Sequence, residues 1–226
     1  MPAERTSRNL GAQRLRVAGL YAVTPECADA RRLVTQVVAA VEGGATLVQY
    51  RNKTLDAASR EAQARALAAT PAIRRALLIV NDDPGLARAV DADGVHLGED
   101  DASIPEARAL VGSDRLVGVS CYDDFELARA AVAAGADYVA FGSFFPSPVK
   151  PKARRAPLEL LRRARTLGVP VVAIGGITAA NASTLIDAGA DALAVISDVF
   201  AHDAAADVTR AAAAIARQFA RSQESP

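Results

Sequence analysis

Apolar residues in this chain fall into short unbroken runs, separated by longer stretches with helical spacing. The runs are Leu20–Val23, Leu47–Tyr50, Leu77–Val80, Gly94–Leu97, Leu116–Ser120, Tyr138–Phe141, Val171–Ile174 and Ala192–Ile196. They are continuous rather than alternating, as strands buried on both faces are. Helical patterns fill the gaps at Ala28–Glu42, Asp56–Ala69, Pro84–Val90, Ser103–Leu110, Asp124–Ala134, Pro157–Thr166, Ala179–Asp187 and Ala204–Arg221. Eight strand–helix units in succession predict an α/β fold, a single (β/α)8 TIM barrel over residues 19–221. A doubly wound open sheet is the competing architecture.

A repeat within the chain favours the barrel. Gly44-Ala45-Thr46, Asp91-Ala92-Asp93, Gly135-Ala136-Asp137 and Gly189-Ala190-Asp191 each close a helix and lead into a strand. From Thr46 to Asp93, Asp137 and Asp191 the intervals are 47, 44 and 54 residues, each about two strand–helix units. The repeat therefore marks the second, fourth, sixth and eighth strands.

Composition narrows the class. Of 226 residues, 51% are hydrophobic and 23% charged, too apolar for a disordered chain. Lys plus Arg and Asp plus Glu each number 26, so no global basic field exists to hold nucleic acid or an anionic membrane. No apolar stretch is long enough to span a bilayer. Cys27 and Cys121 are too few for a disulfide framework, so a reducing compartment, the cytoplasm, is expected. Residues 1–18, with Arg5, Arg8, Arg14 and Arg16, read as a disordered basic leader or an organelle transit segment. Residues 222–226 read as a disordered tail.

In a barrel of this kind the site lies at the C-terminal ends of the strands. After the second run come Gln49, Arg51 and Lys53, spaced so that an extended chain points all three one way. Two cations there read either as a clamp for an anionic substrate or as solvated residues past the strand end. Asn81-Asp82-Asp83-Pro84 follows the third run and Gly98-Glu99-Asp100-Asp101 the fourth. One aspartate before Pro84 suits a helix cap. Two acidic turns on strands roughly 4.8 Å apart suit a hard cation such as Mg²⁺, which takes one or two carboxylates plus phosphate oxygens. His96 reads as a ligand or a hydrogen-bonded core residue. Ser120 follows the fifth run and offers a donor. Cys121 beside it has no base placed to activate it, so burial is expected.

After the sixth run, Gly142–Pro157 is long and carries four prolines, with Ser147, Lys150, Lys152, Arg154 and Arg155. Such a segment reads as a binding loop or lid, or as a flexible insertion. Gly175-Gly176 after the seventh run and Ile196-Ser197 after the eighth mark the recurrent phosphate cradle of these barrels.

These motifs resemble the thiamine-phosphate synthase (thiamine-phosphate pyrophosphorylase) family. The resemblance spans about Gly19 to Phe200. It rests on residues 49–53, 80–83, 94–101, 118–120, 145–150, 173–177 and 194–197, in order at the expected strand ends. The family is a transferase of thiamine biosynthesis. It joins an aminopyrimidine methyl pyrophosphate to a thiazole phosphate, releasing pyrophosphate, and CO₂ if the thiazole is carboxylated. By resemblance, Arg51, Lys53 and Lys150 would be catalytic. Gln49, Asn81, Ser120, Ser147, Gly176, Ile196 and Ser197 would complete the substrate site, and Asp82 and Asp101 would hold Mg²⁺. The partners implied are these small molecules alone, with oligomeric state left open. Val149 stands where relatives commonly have a Thr, and Tyr122 where they often have a His. The alternatives are a thiazole tautomerase-like enzyme and a non-catalytic ligand-binding relative.

Overall fold

The computed structural model describes residues 17–146 and 155–224. Eight parallel strands close on one another in chain order. They are β1 (Gly19–Val23), β2 (Ala45–Tyr50), β3 (Leu77–Asn81), β4 (Gly94–Leu97), β5 (Leu116–Tyr122), β6 (Tyr138–Phe141), β7 (Val171–Ile174) and β8 (Ala192–Val195). The closing pairs include Gly19 with Ala192 and Ala22 with Val195. None of the eight described strands is left with an open edge. The barrel, not the open sheet, is the architecture.

Helices cover the outside: α1 (Ala30–Glu42), α2 (Ala57–Ala69), α3 (Pro84–Ala89), α4 (Ile104–Val111), α5 (Phe125–Ala133), α6 (Leu158–Ala164) and α7 (Ala182–Asp187), then α8 (Ser197–Phe200) and α9 (Ala205–Glu224). Many begin where the sequence supplies a cap. Asp29 accepts from the Arg31 and Arg32 amides, and Ser103 and Glu106 form a reciprocal capping box. The short α8 was not expected. It arises because Ile196 leaves the extended conformation, so β8 stops at Val195. Residues 179–181 form a turn rather than the start of a helix, since Asn181 folds back to accept from the Thr178 amide.

Val17, ahead of Gly19, is buried inside the barrel with Tyr21 and Leu47. At the other end α9 runs to Glu224, past the boundary expected at Arg221.

Alternation decides which residues face inward. Tyr21, Leu47, Leu77, Ile79, Leu116, Tyr138, Val172, Ala192 and Ala194 fill the barrel. Their strand neighbours, among them Leu20, Val48, Leu78, Val95, Val117, Val139 and Leu193, pack under the helices. The repeat seen in the sequence fastens the lower rim. The Asp93, Asp137 and Asp191 carboxylates accept the amides of Leu78, Val117 and Val171 on the preceding strand. In return each aspartate amide donates to the carbonyl of that same residue. Thr46, at the equivalent place on β2, donates its hydroxyl to the Ala18 carbonyl.

Candidate active site

The upper rim is built from the segments that follow the strands. Beyond Tyr50 the chain leaves β2 and is pinned immediately. The Thr24 hydroxyl accepts the Arg51 amide at 2.9 Å and donates to the Arg51 carbonyl at 3.0 Å. Buried Asn52 accepts the Thr54 and Leu55 amides and donates to the Cys27 carbonyl. The loop that carries the two cations is therefore held rigid by its own backbone.

Neither cation is simply solvated. Arg51 Nη1 lies 2.6 Å from Glu26 Oε1, while Glu26 Oε2 accepts the Lys53 amide at 2.9 Å. Lys53 Nζ reaches across to Asp82 Oδ2 at 2.8 Å. Glu26 was not singled out from the sequence. It lies three positions past β1 with no motif around it, and only closure of β1 against β2 brings it to Arg51.

The acidic turns separate into distinct roles. Asp83 accepts the Leu86 amide at 2.8 Å and caps α3, with Pro84 at the first helical position. Asp82 instead adopts φ 64°, a left-handed conformation that turns its side chain away from the cap and into the mouth. Glu99 and Asp100 are exposed. Asp101 alone folds back, its Oδ2 accepting the Gly98 amide at 2.6 Å. The Asp82 and Asp101 carboxyls share a hydrogen bond. Burial would raise Asp82, but the Lys53 ammonium and the bond from Asp101 hold it below the ordinary aspartate value. Burial raises Asp101, and the neighbouring Asp82 raises it further against the pull of the Gly98 amide. Of the two carboxyls, Asp101 holds its proton to the higher pH. Among the described residues, no group of three or more His, Cys, Asp or Glu is arranged to hold a metal. Two convergent carboxylates suit a hard divalent ion whose remaining ligands are phosphate oxygens and water.

The floor of the mouth is polar. Gln49 Nε2 donates to the Tyr21 hydroxyl at 3.0 Å, and Tyr21 and Tyr138 hydroxyls lie 3.0 Å apart. His96 Nδ1 is 3.1 Å from the Tyr138 hydroxyl, and its Nε2 is 2.9 Å from Ser120 Oγ. Burial pushes His96 down to about 4, against a smaller opposing pull from the Asp82 charge, so it is neutral. His96 is the hydrogen-bonded core residue, not a ligand facing the mouth. Tyr21 and Tyr138 were missed from sequence, where inward tyrosines look the same as core aromatics. Asn81, paired in register with His96, ends β3 on the inward side. Cys121 is fully buried beside a shift in the β5–β6 register. Burial, and after it the Asp124 charge, pushes its thiol up to about 12, which excludes a resting thiolate.

Gly175 and Gly176 lie at φ 108° and 63°. A Cβ on Gly175 would stand 2.1 Å from Ser143 Oγ, and one on Gly176 2.3 Å from the Pro146 carbonyl oxygen. Both glycines thus admit the segment after β6, where a side chain would collide with it. The Phe144 and Phe145 amides bond to the Ile174 and Gly175 carbonyls, and the Ala156 amide returns to the Ser143 carbonyl. Both roots of the long loop are so anchored. Ser147, Val149, Lys150, Lys152 and Arg154 lie outside the described residues. A cleft of about 320 Å³ opens between β7 and β8, lined by Pro146, Gly176, Thr178, Ile196, Ser197 and Asp198. Asp198 accepts the Ala179 amide and so braces the loop after β7.

A closed parallel barrel with a glycine-lined cleft after β7 and β8, and with paired cations and carboxylates after β2 to β4, defines an enzyme that handles phosphorylated ligands. The thiamine monophosphate synthase family profile matches residues 20–199, and the chain belongs to that family. It is a transferase of thiamine biosynthesis. A thiamine-phosphate synthase of Thiobacillus denitrificans is 58% identical over 207 residues, 91% of this chain and 97% of its own length. One from Azoarcus sp. is 55% identical, covering 91% and 98%. Among solved structures, a thiamine phosphate pyrophosphorylase from Pyrococcus furiosus superposes with a TM-score of 0.80 at 35% identity, covering 92% and 98%.

Proposed function

We propose that the protein condenses 4-amino-2-methyl-5-(diphosphooxymethyl)pyrimidine with a thiazole phosphate to give thiamine phosphate and pyrophosphate. The observation that supports this most directly is the Lys53–Asp82–Asp101 cluster facing Arg51 and Glu26 across one rim. Arg51 and Lys53 are already oriented for an anion, and Lys150 would join them from the loop after β6. Asp82 and Asp101 would hold Mg²⁺, which supplies charge neutralisation for the departing pyrophosphate. Gln49, Asn81 and Ser120 line the floor, where the pyrimidine would lie. Gly176, Ile196 and Ser197 line the cleft that would take the thiazole phosphate, and by the family motif Ser147, outside the described residues, would contribute a hydroxyl.

The chemistry needs no acid–base pair. The methylene C–O bond to pyrophosphate breaks, and its electron pair leaves with the phosphate oxygen. The thiazole nitrogen lone pair forms the new C–N bond. The pyrimidine amino group feeds electron density to the reacting carbon, and the cations stabilise charge as it gathers on the leaving group. The substrates are small molecules, the expected compartment is the cytoplasm, and no described helix is long and apolar enough to cross a membrane. Incubating purified protein with both substrates, with and without Mg²⁺, tests the reading. Thiamine phosphate and pyrophosphate should appear in equal amounts, and only with the metal. Failure to form either overturns it.

A further inference from the structure

We infer that Tyr21, Tyr138 and His96 are positioning residues that couple Gln49 to Ser120, so that the floor of the site reads both ends of an aminopyrimidine as one pattern and rejects its 4-oxo counterpart. The inference rests on the reading of Gln49 and Ser120 as pyrimidine contacts.

Counting protons carries it. The five side chains form an unbroken line from β2 through β1, β6 and β4 to β5, each link between 2.9 and 3.1 Å. Gln49 Nε2 donates to the Tyr21 hydroxyl, so the single Tyr21 proton passes on to Tyr138. The Tyr138 proton then goes to His96 Nδ1. A neutral imidazole accepting at Nδ1 carries its proton on Nε2, which donates to Ser120 Oγ. Ser120 keeps its own proton free for the mouth. Gln49 Oε1 takes no hydrogen bond from the described residues and is free to accept. One end therefore offers an acceptor, suited to an exocyclic amino group, and the other a donor.

The line has two self-consistent polarities and no mixed one. A carbonyl standing where Oε1 now faces the ligand meets acceptor against acceptor, and presenting an N–H at that position turns the amide over and brings Oε1 toward Tyr21. Each hydroxyl then reverses, the His96 proton moves to Nδ1, and Ser120 must donate inward to Nε2. Ser120 would meet the ligand with a lone pair only. A single wrong group is so penalised at both ends, a route to discrimination that contact at one end does not give.

Packing holds the line independently of its hydroxyls. The Tyr138 ring stacks on His96 at 5.6 Å and meets Tyr21 edge-on at 6.3 Å. It also fills the space over Gly118, where a Cβ would stand 2.0 Å from Tyr138 Cζ. Tyr138→Phe and Tyr21→Phe therefore sever the relay while keeping the rings.

The experiment compares the KM for the aminopyrimidine pyrophosphate with the Ki of its 4-oxo analogue in the full-length enzyme. Either single Phe variant should lose about tenfold or more of that selectivity, with its melting midpoint within a few degrees of wild type. The double variant should lose no more than either single, because both cut one line. His96→Gln, which keeps a donor toward Ser120, should preserve more selectivity than His96→Leu. Unchanged selectivity in the Phe variants, or additive losses in the double, would overturn the relay, as would a fall in kcat with selectivity intact. Gln49→Ala and Ser120→Ala separate the two levels. If they alter selectivity and the Phe variants do not, only the relay falls. If they alter neither selectivity nor KM, the reading of the pyrimidine floor falls with it.

Discussion

Lys53 Nζ and Asp82 Oδ2 lie 2.8 Å apart, one on the loop after β2 and the other on the turn after β3. The ammonium rests on the same carboxylate that is read as a metal ligand. A divalent ion with its pyrophosphate would recruit Asp82 and leave Lys53 to the phosphate oxygens. Asp82→Ala and Asp101→Ala should each lower turnover by about 10²-fold or more, as loss of a main charge stabiliser does. Mg²⁺ titration of activity and of direct binding checks it. Unchanged turnover at saturating Mg²⁺ in both variants removes them from the metal site.

Glu26 holds the Arg51 guanidinium with one oxygen and the Lys53 amide with the other. Removing it frees the Arg51 guanidinium and takes away one anchor of the Lys53 backbone, while the Lys53 ammonium keeps Asp82. Glu26→Ala should lower kcat/KM for the pyrimidine substrate by about tenfold, and Glu26→Gln, which can still accept, by clearly less. Equal effects from the two substitutions would show that charge rather than placement matters.

His96 sets a pH dependence of stability. Its folded value, about 4, lies below the ordinary 6.5. Between those values the unfolded chain takes up a proton that the folded one refuses, so stability falls as pH drops through this window. The difference corresponds to ~3 kcal/mol at most, complete only below about pH 4. Urea unfolding of wild type and His96→Gln across pH 7 to about 4 isolates this contribution from that of the carboxylates. Parallel curves for the two proteins would refute it.

Cys121 is the negative control. With its thiol buried and pushed up to about 12, it has no route to a nucleophilic thiolate. Cys121→Ala should keep most activity and cost on the order of 1 kcal/mol of stability through the small cavity. A loss above about tenfold in a stable variant means that chemistry at this position has been overlooked.

Lys150 lies outside the described residues, and its expected role comes from the family motif. An ammonium that meets the leaving group as charge grows acts more strongly in the transition state than on bound substrate. Lys150→Ala should lower kcat more than it raises either KM, with partial rescue by Lys150→Arg. Lys152→Ala should do little. Steady-state kinetics on the three variants decides it, and a pure KM effect makes Lys150 a docking charge.

Much of this molecule was legible without its structure. Short continuous apolar runs suit strands covered on both faces, and eight of them alternating with amphipathic helices, with the repeat at the even strands, favour a closed parallel barrel over an open sheet. Inward and outward positions follow from strand alternation, and the strand ends from where apolar runs stop. That is why Arg51, Lys53, Asp82, Asp101 and Gly176 could be placed on one rim. Pairing across the chain could not be read this way, because it depends on which strands become neighbours and on backbone conformation at single residues. Asp82 and Asp83 are chemically identical, and only the left-handed backbone at Asp82 sends one to the mouth and the other to the cap. Glu26 becomes a partner of Arg51 only when β1 and β2 lie side by side. Tyr21 and Tyr138 are 117 positions apart, and barrel closure places their hydroxyls 3.0 Å apart, turning two core aromatics into part of the floor of the site.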